Sequence, residues 1–191
     1  MKKEQETIQS VLALDVVAAA ERLIGCRLVR HLPEGRIVIE LTETEAYRGA
    51  DDPASHAARG RTLRNEPMFG EPGRLYVYLS YGLHACMNVV TGASGEPGAV
   101  LLRAGRALEG IELIRANRPG ISERQLMNGP GKLSRALAVD LSLNRYEVVA
   151  DPDGLLQLEL GPPKPSIRTS RIGITKGTDL LWRFVEPPAA R

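Results

Sequence analysis

The stretch from Arg74 to Val90 constrains this chain more than any other. Leu75 to Leu79 and Ala85 to Val90 are dense in β-branched, aliphatic and aromatic residues, a composition that suits a pleated, half-buried surface. Between them lies Ser80-Tyr81-Gly82, with the glycine that a tight turn uses for positive φ. The pattern predicts a hairpin with Tyr81 at its tip. Turns are usually polar, and no core covers a large aromatic at such a place. Two readings are open: Tyr81 folds back onto a neighbouring element, as lone surface apolar groups do, or it is a wedge that enters a partner, as in proteins that unstack nucleic-acid bases.

A second strand is predicted over Arg36 to Tyr47, after a strand from Cys26 to His31 and a turn at Leu32-Pro33-Glu34-Gly35. By period two, Ile37, Ile39 and Leu41 share a face that continues as Glu43, Glu45 and Tyr47. An apolar face that turns into carboxylates and a tyrosine suits a strand leaving the core for a cleft. The plain alternative is a strand end emerging into water with both glutamates solvated. Ahead of these strands, Asp15 is the predicted cap of a helix stopped by Gly25, and residues 1–10 are expected to fray.

From Arg48 to Gly73 there is no long periodic run, and a long irregular segment in a compact domain is usually functional or disordered. Asp52-Pro53 has the form of a helix start carrying His56, and Thr62 of another running through Met68. His56 reads equally as a hydrogen-bonded structural residue or as a participant in chemistry. Arg59, Arg61 and Arg64 lie in the same segment. Residues 56–135 hold 11 Lys/Arg against 6 Asp/Glu, although the whole chain is only +2. The basic middle third, which contains the hairpin, suits a phosphate-facing surface; a merely solvated basic face is the alternative.

Further along, Ala99 to Arg103 reads as a strand, Leu108 to Ile114 as a helix ending near Pro119, and Ser122 to Gln125 as a capping box. Gly129-Pro130-Gly131-Lys132 is a glycine-rich turn opening a helix, whose backbone N–H groups with Lys132 suit a phosphate. It is not a Walker A loop, because Leu126 occupies the place of the first glycine. Asp151-Pro152-Asp153-Gly154 reads as a turn, and Leu155 to Leu160 and Leu180 to Val185 as strands. Arg168 and Arg171 are further candidates for phosphate contact. Cys26 and Cys86 fit no metal or redox spacing and are expected as buried thiols. The chain shows no secretory signal and no membrane-length apolar run, so an intracellular place is expected: cytoplasmic and nucleoid-associated if the source is bacterial.

These pieces together resemble the alkyladenine (3-methyladenine) DNA glycosylase family. The resemblance rests on Glu43-Thr44-Glu45-Ala46-Tyr47, His56, Arg64-Asn65 with Met68-Phe69, Leu75-Tyr76-Val77-Tyr78, Tyr81-Gly82 and Cys86-Met87-Asn88. Val100-Leu101-Leu102-Arg103, Gly129-Pro130-Gly131-Lys132-Leu133 and Arg171-Ile172-Gly173 continue it in order over nearly the whole chain. It implies a single mixed α/β (α+β) domain around a curved antiparallel β-sheet, with a protruding hairpin and flanking helices. It also implies a monomer without metal or organic cofactor that acts on DNA containing alkylated purines, away from membranes. Glu45 matches the residue that activates water, with Arg103 near that water and the sugar-phosphate. Tyr47, His56 and Tyr78 match residues around the flipped base, Asn88 the position that rejects guanine, and Tyr81 the side chain that fills the gap in the duplex. Arg64, Lys132, Arg135 and Arg171 are candidates for the DNA backbone. The residues after Tyr81-Gly82 are less bulky than in some members, and the chain stops soon after Val185, which leaves the pairing of the last strand open.

Two other functions fit parts of the same sequence. A helix-hairpin-helix glycosylase with strand-nicking activity would place Gly129-Pro130-Gly131 on DNA and use Lys132 as a Schiff-base nucleophile. A non-catalytic module would insert Tyr81 to sense damage or bend the duplex. Strand-rich sequence before Arg103 opposes the first, and Glu45 beside Tyr47 opposes the second.

Overall fold

The computed structural model describes residues 6–149, 151 and 153–188. Among these, the strands are β1 (Arg27–Leu32), β2 (Gly35–Tyr47), β3 (Leu75–Ser80), β4 (His84–Val90), β5 (Ala99–Glu109), β6 (Leu156–Glu159), β7 (Ile167–Thr169) and β8 (Arg183–Val185). The helices are α1 (Ile8–Leu12), α2 (Val16–Arg22), α3 (Ile111–Asn117) and α4 (Pro130–Ala136). The strands form one curved sheet in the order β3-β4-β5-β2-β1-β6, with β8 beside the far half of β2 and β7 beside β8. Every pairing is antiparallel. The expected mixed α/β architecture is therefore present, and the last strand is paired on both sides.

β2 is the spine, because it alone pairs with β1, β5 and β8. Its regular alternation stops at Glu43: register shifts separate Leu41 from Glu43 and Glu43 from Thr44. Such bulges re-aim side chains. Ile37, Ile39 and Leu41 belong to the main apolar core, but it is Ala46, not Glu45, that continues this cluster. Thr44 faces helix α2, donating its hydroxyl to Ala20 O at 2.7 Å. The expectation that one unbroken face runs from Ile37 to Tyr47 is thus corrected. The irregularity moves Glu43, Glu45 and Tyr47 out of the core's register, and Tyr47 lines a cleft.

The core itself follows from the apolar spacing. α2 supplies Val16, Ala19 and Ala20, and α4 supplies Leu133 and Ala136, all buried against the sheet with Val89, Val100 and Leu102. Asp15 caps α2 as expected, accepting Val17 N–H at 3.0 Å. Burying each of the valines and leucines in this core contributes about 1.5–3 kcal/mol. A second, smaller cluster of Ala57, Met68, Tyr76, Val90 and Ala99 supports one wall of the cleft.

Several local expectations change. Residues 8–10 do not fray: Thr7 and Ser10 form a reciprocal cap that starts α1, while residues 1–5 lie outside the described chain. No helix follows Asp52; its carboxylate accepts from Ala54 N–H and Arg48 N–H and folds the segment into turns. The second expected helix shortens to a 3-10 turn, Glu66–Phe69. Leu108 belongs to β5, not to a helix, and Ser122 makes no side-chain cap. Of the turn at Asp151, Pro152 lies outside the described residues, and Gly154 N–H donates to Asp151 O at 3.1 Å.

Candidate active site

A cleft of about 300 Å³ opens beside Tyr47 of β2 and Arg103 of β5, within the size range of small-molecule pockets. Tyr47, His56, Tyr78, Tyr81, Asn88 and Arg103 all line it. Six positions separated widely in sequence therefore meet in one place. Glu45 lies beneath them, fully buried.

Three donors converge on the Glu45 carboxylate. Oε2 accepts from the Tyr47 hydroxyl at 2.8 Å and from Arg103 Nη1 at 3.1 Å, and Oε1 accepts from Ile172 N–H at 2.7 Å. A carboxylate with no bound proton is an acceptor only, so this donor set suits it. Burial, with the adjacent Glu45 charge second, pushes the Tyr47 hydroxyl far above its ordinary range, which keeps it a donor. Burial works against the Arg103 charge, but Glu45 and Glu43 outweigh that effect and hold the guanidinium charged. Glu43 accepts from Arg103 Nε at 2.6 Å and from Arg183 Nε at 2.7 Å.

The opposite wall is aromatic. Tyr76 and Tyr78 have ring centroids 5.4 Å apart, and His56 meets Tyr78 edge-on at 4.6 Å. His56 Nδ1 and the Tyr76 hydroxyl share a hydrogen bond of 2.8 Å. Burial, reinforced by Arg64, lowers the His56 pKa, so the ring sits neutral among the tyrosines. The Arg64 guanidinium lies 5.6 Å from the Tyr78 ring centroid, a geometry that a positively charged ligand could share. Asn88 donates its amide to Tyr76 O at 2.9 Å. That bond fixes which end of the amide turns to the cleft, leaving the oxygen as an acceptor there.

Tyr81 stands at the hairpin tip and is 92% exposed. Leu83 N–H donates to Ser80 O at 3.1 Å, and φ is positive at both Tyr81 (51°) and Gly82 (70°). Type I′ hairpin turns require this pair of conformations, and for a tyrosine it is strained by about 1–2 kcal/mol. The reading in which Tyr81 folds back onto a neighbour does not hold in this structure.

The proposed backbone contacts divide. Arg64 and Arg135 are exposed, and Lys132 is half-buried with Nζ bonded to Asn128 Oδ1 at 2.9 Å. Arg171 is a correction. Its side chain is fully buried and grips both oxygens of Asp52 at 2.7 Å, with Nη1 also on Ala46 O. Its guanidinium lies 4.6 Å from the Tyr47 ring centroid. Arg171 cannot reach a phosphate from there; it clamps the loop and braces Tyr47. Sequence reasoning missed Asp52 as its partner, and also the Ile172 N–H on Glu45. It missed Asn65 too, whose buried amide ties His56 O, Gly60 O and Thr62 N–H together. Only order in the sequence hinted at these, since nothing in local spacing joins residue 52 to residue 171.

Among the described residues no cluster of three or more His, Cys, Asp or Glu could hold a metal ion, and no helix is long and apolar enough to cross a membrane. The family model described as methylpurine-DNA glycosylase (MPG) matches residues 10–189. A relative from Carboxydothermus hydrogenoformans is 46% identical over 175 residues, covering 90% of each chain. One from Methanocella arvoryzae is 45% identical over 172 residues, covering 87% of this chain and 85% of the relative. One from Nocardia farcinica is 42% identical over 186 residues, covering 92% and 85%. All three bear the name "Putative 3-methyladenine DNA glycosylase".

Proposed function

The chain belongs to the methylpurine-DNA glycosylase family, and from that premise we propose that it excises alkylated purines from DNA by hydrolysing the N-glycosidic bond. The nucleotide is turned out of the duplex at a cost of a few kcal/mol. Tyr81 enters the gap and offsets part of that cost by stacking, worth roughly 1–3 kcal/mol per base. The base enters between the aromatic walls. A purine made cationic by alkylation gains about 0.5–2 kcal/mol from their π faces, which favours damage over normal bases. Asn88, aimed by its bond to Tyr76 O, sets the acceptor that the base edge meets.

The cationic purine is already a good leaving group. Glu45 therefore acts on the other side of the bond, taking a proton from the attacking water and stabilising the charge that develops on the sugar. The bond from sugar to base breaks with its electron pair going to the base, and water supplies the new oxygen, leaving an abasic site and no covalent enzyme adduct. Arg103 holds the carboxylate and reaches the sugar-phosphate; Arg64, Lys132 and Arg135 meet the backbone. The proposed enzyme is a monomer with one glycosylase domain and needs no cofactor.

One observation carries this reading: a fully buried carboxylate, Glu45, is hydrogen-bonded to Tyr47 and Arg103, two residues that line one cleft together with His56 and Tyr78. A strand-nicking enzyme built from helical hairpins is at odds with the sheet architecture. The test is chromatographic detection of free modified base released from alkylated duplex DNA by wild type and Glu45→Gln. Release by wild type alone is expected. Tight lesion binding with no release by either protein would instead favour a damage-sensing module, and a borohydride-trapped adduct would favour Lys132 chemistry.

A further inference from the structure

Glu45 does not meet Arg103 alone. Arg103 places Nε on Glu43 and Nη1 on Glu45, so one guanidinium spans two carboxylates. Glu43 in turn bridges Arg103 on β5 to Arg183 on β8, with both Nε atoms on the same oxygen, Oε1. Arg183 is anchored beyond it, donating Nη1 to Thr169 Oγ1 at 3.1 Å. The four charged groups are largely sheltered, with side-chain exposures of 0% for Glu45, 8% for Arg103, 15% for Glu43 and 21% for Arg183. Glu43 is also the residue flanked by two of the three register shifts between the spine strand and β5.

We infer that Glu43 is a positioning residue for the proposed glycosylase reaction, holding the Arg103 guanidinium on Glu45 and sharing its charge, so that Glu45 is oriented without being fully neutralised. The inference rests on the glycosylase reading given above. An arginine side chain has many rotamers, and a carboxylate on Nε fixes the plane of the fork. With that plane fixed, Nη1 presents to Glu45 in one geometry. The charge consequence matters equally. Two guanidiniums and two carboxylates balance at the cleft floor; removing the Glu43 charge leaves an excess positive charge beside the place where cationic character develops on the sugar. Such a charge opposes the reaction directly and draws electron density from Glu45.

The other groups that face Glu45 do not provide this balance. Tyr47 is protonated and donates to it, Ile172 offers a backbone N–H, and Arg171 is already neutralised by Asp52. Tyr78 across the cleft is uncharged, since burial pushes its hydroxyl far up. Glu43 is thus the group that sets how much of the Arg103 charge Glu45 receives.

The test is single-turnover excision from duplex DNA with one alkylated purine, at saturating enzyme and across pH, for wild type and three variants. Glu43→Gln keeps the shape and loses the charge. It is expected to slow excision about 10- to 100-fold, the range seen when a partner behind a metal ligand is lost, with lesion binding changed less than about threefold and the acid limb of the rate profile moved to lower pH. Glu43→Asp should return the limb towards wild type. Arg183→Gln removes a cation and should move the limb the opposite way, to higher pH. A merely structural Glu43 would reduce the folded fraction and leave both limbs unmoved, which overturns the inference, as does wild-type rate in Glu43→Gln. If Glu43→Gln does not fold, the limb of Arg183→Gln decides. If wild type releases no base at all, it is the glycosylase reading that fails, a result distinct from any of these.

Discussion

Tyr81 lines the cleft and Glu45 lies behind two of its lining residues, Tyr47 and Arg103, yet their surroundings are opposite. Glu45 is fully buried, with three donors on its carboxylate and Arg103 held behind it by a second glutamate. Tyr81 is 92% exposed on a two-strand hairpin and sits in a backbone conformation that tyrosine adopts only under strain. The floor lies on central strands and is tied to β5, β8 and the loop after β7. Among the described residues the fingertip makes no hydrogen bond beyond its own turn. Precise orientation of a charge needs a saturated, rigid shell, whereas insertion into a partner needs apolar area left free. Changes to the floor should therefore alter chemistry or lower stability, and changes to the fingertip should alter binding without touching the chemical step or lowering stability.

The largest expected effect tests the floor. Glu45→Gln should lower excision about 10²–10⁴-fold, the range for loss of a general base, while binding to lesion DNA stays near wild type in a gel-shift assay. Lost binding and lost excision together would mean that the floor acts on affinity, and the contrast with Tyr81 would break down. Next comes the clamp behind the floor. Asp52→Ala leaves the Arg171 guanidinium buried and unpaired and should destabilise the protein by about 3–5 kcal/mol, read as a urea-midpoint shift. The doubly bonded, fully buried geometry of this pair is what sets it apart from the exposed pairs, such as Arg36 with Glu109, whose loss should be worth only about 0–1 kcal/mol.

The fingertip is expected to behave the other way. Tyr81→Ala should weaken base flipping by about 5- to 150-fold, corresponding to roughly 1–3 kcal/mol of lost stacking, measured with a fluorescent base analogue opposite the hairpin. Excision from single-stranded lesions should hardly change. Tyr81→Gly should also lose flipping, yet stabilise the fold by about 1 kcal/mol because glycine relieves the positive φ. A destabilised Tyr81→Gly would mean that the ring packs on the protein and that the two regions are less different than their exposures suggest.

The same contrast explains what could be read from sequence. The fingertip was legible because a hairpin is a local object: two strand-like runs, a glycine and a misplaced aromatic lie within seventeen residues, Arg74 to Val90. The carboxylate on β2 was legible as a change of character along a strand. What carried it into the cleft was not, because the register shifts around Glu43 depend on how β5 pairs with β2 and leave no mark in either sequence alone. Arg171 shows the limit most clearly. A basic residue in a loop reads as a surface cation, and only tertiary packing joins it to Asp52, 119 positions earlier, and turns it inward. Asp52 itself read as a helix cap because an Asx turn and an N-cap use the same side-chain bond to nearby backbone N–H groups.

His56 lies between the two regions and gives the smallest expected effect. It lines the cleft together with the exposed Arg64 and meets the buried wall through Tyr76 and Tyr78. Burial chiefly, and Arg64 second, depress its folded-state pKa below the ordinary histidine range. The unfolded chain then takes up a proton near the ordinary value of about 6.5, at a pH where the folded chain still refuses it. The contribution to stability is whole above that pH, declines as pH falls, and is lost once pH passes below the folded value. Urea midpoints at about pH 7.5 and 5.5 should therefore differ more for wild type than for His56→Gln, which has no proton to take. The acid-side losses from Glu21, Glu40 and Glu186, whose pKa values are lowered, belong to more acidic solution and cancel in this comparison. An equal pH response in both proteins would place His56 with the fingertip, open to solvent, and the rigid floor would then end at Tyr76.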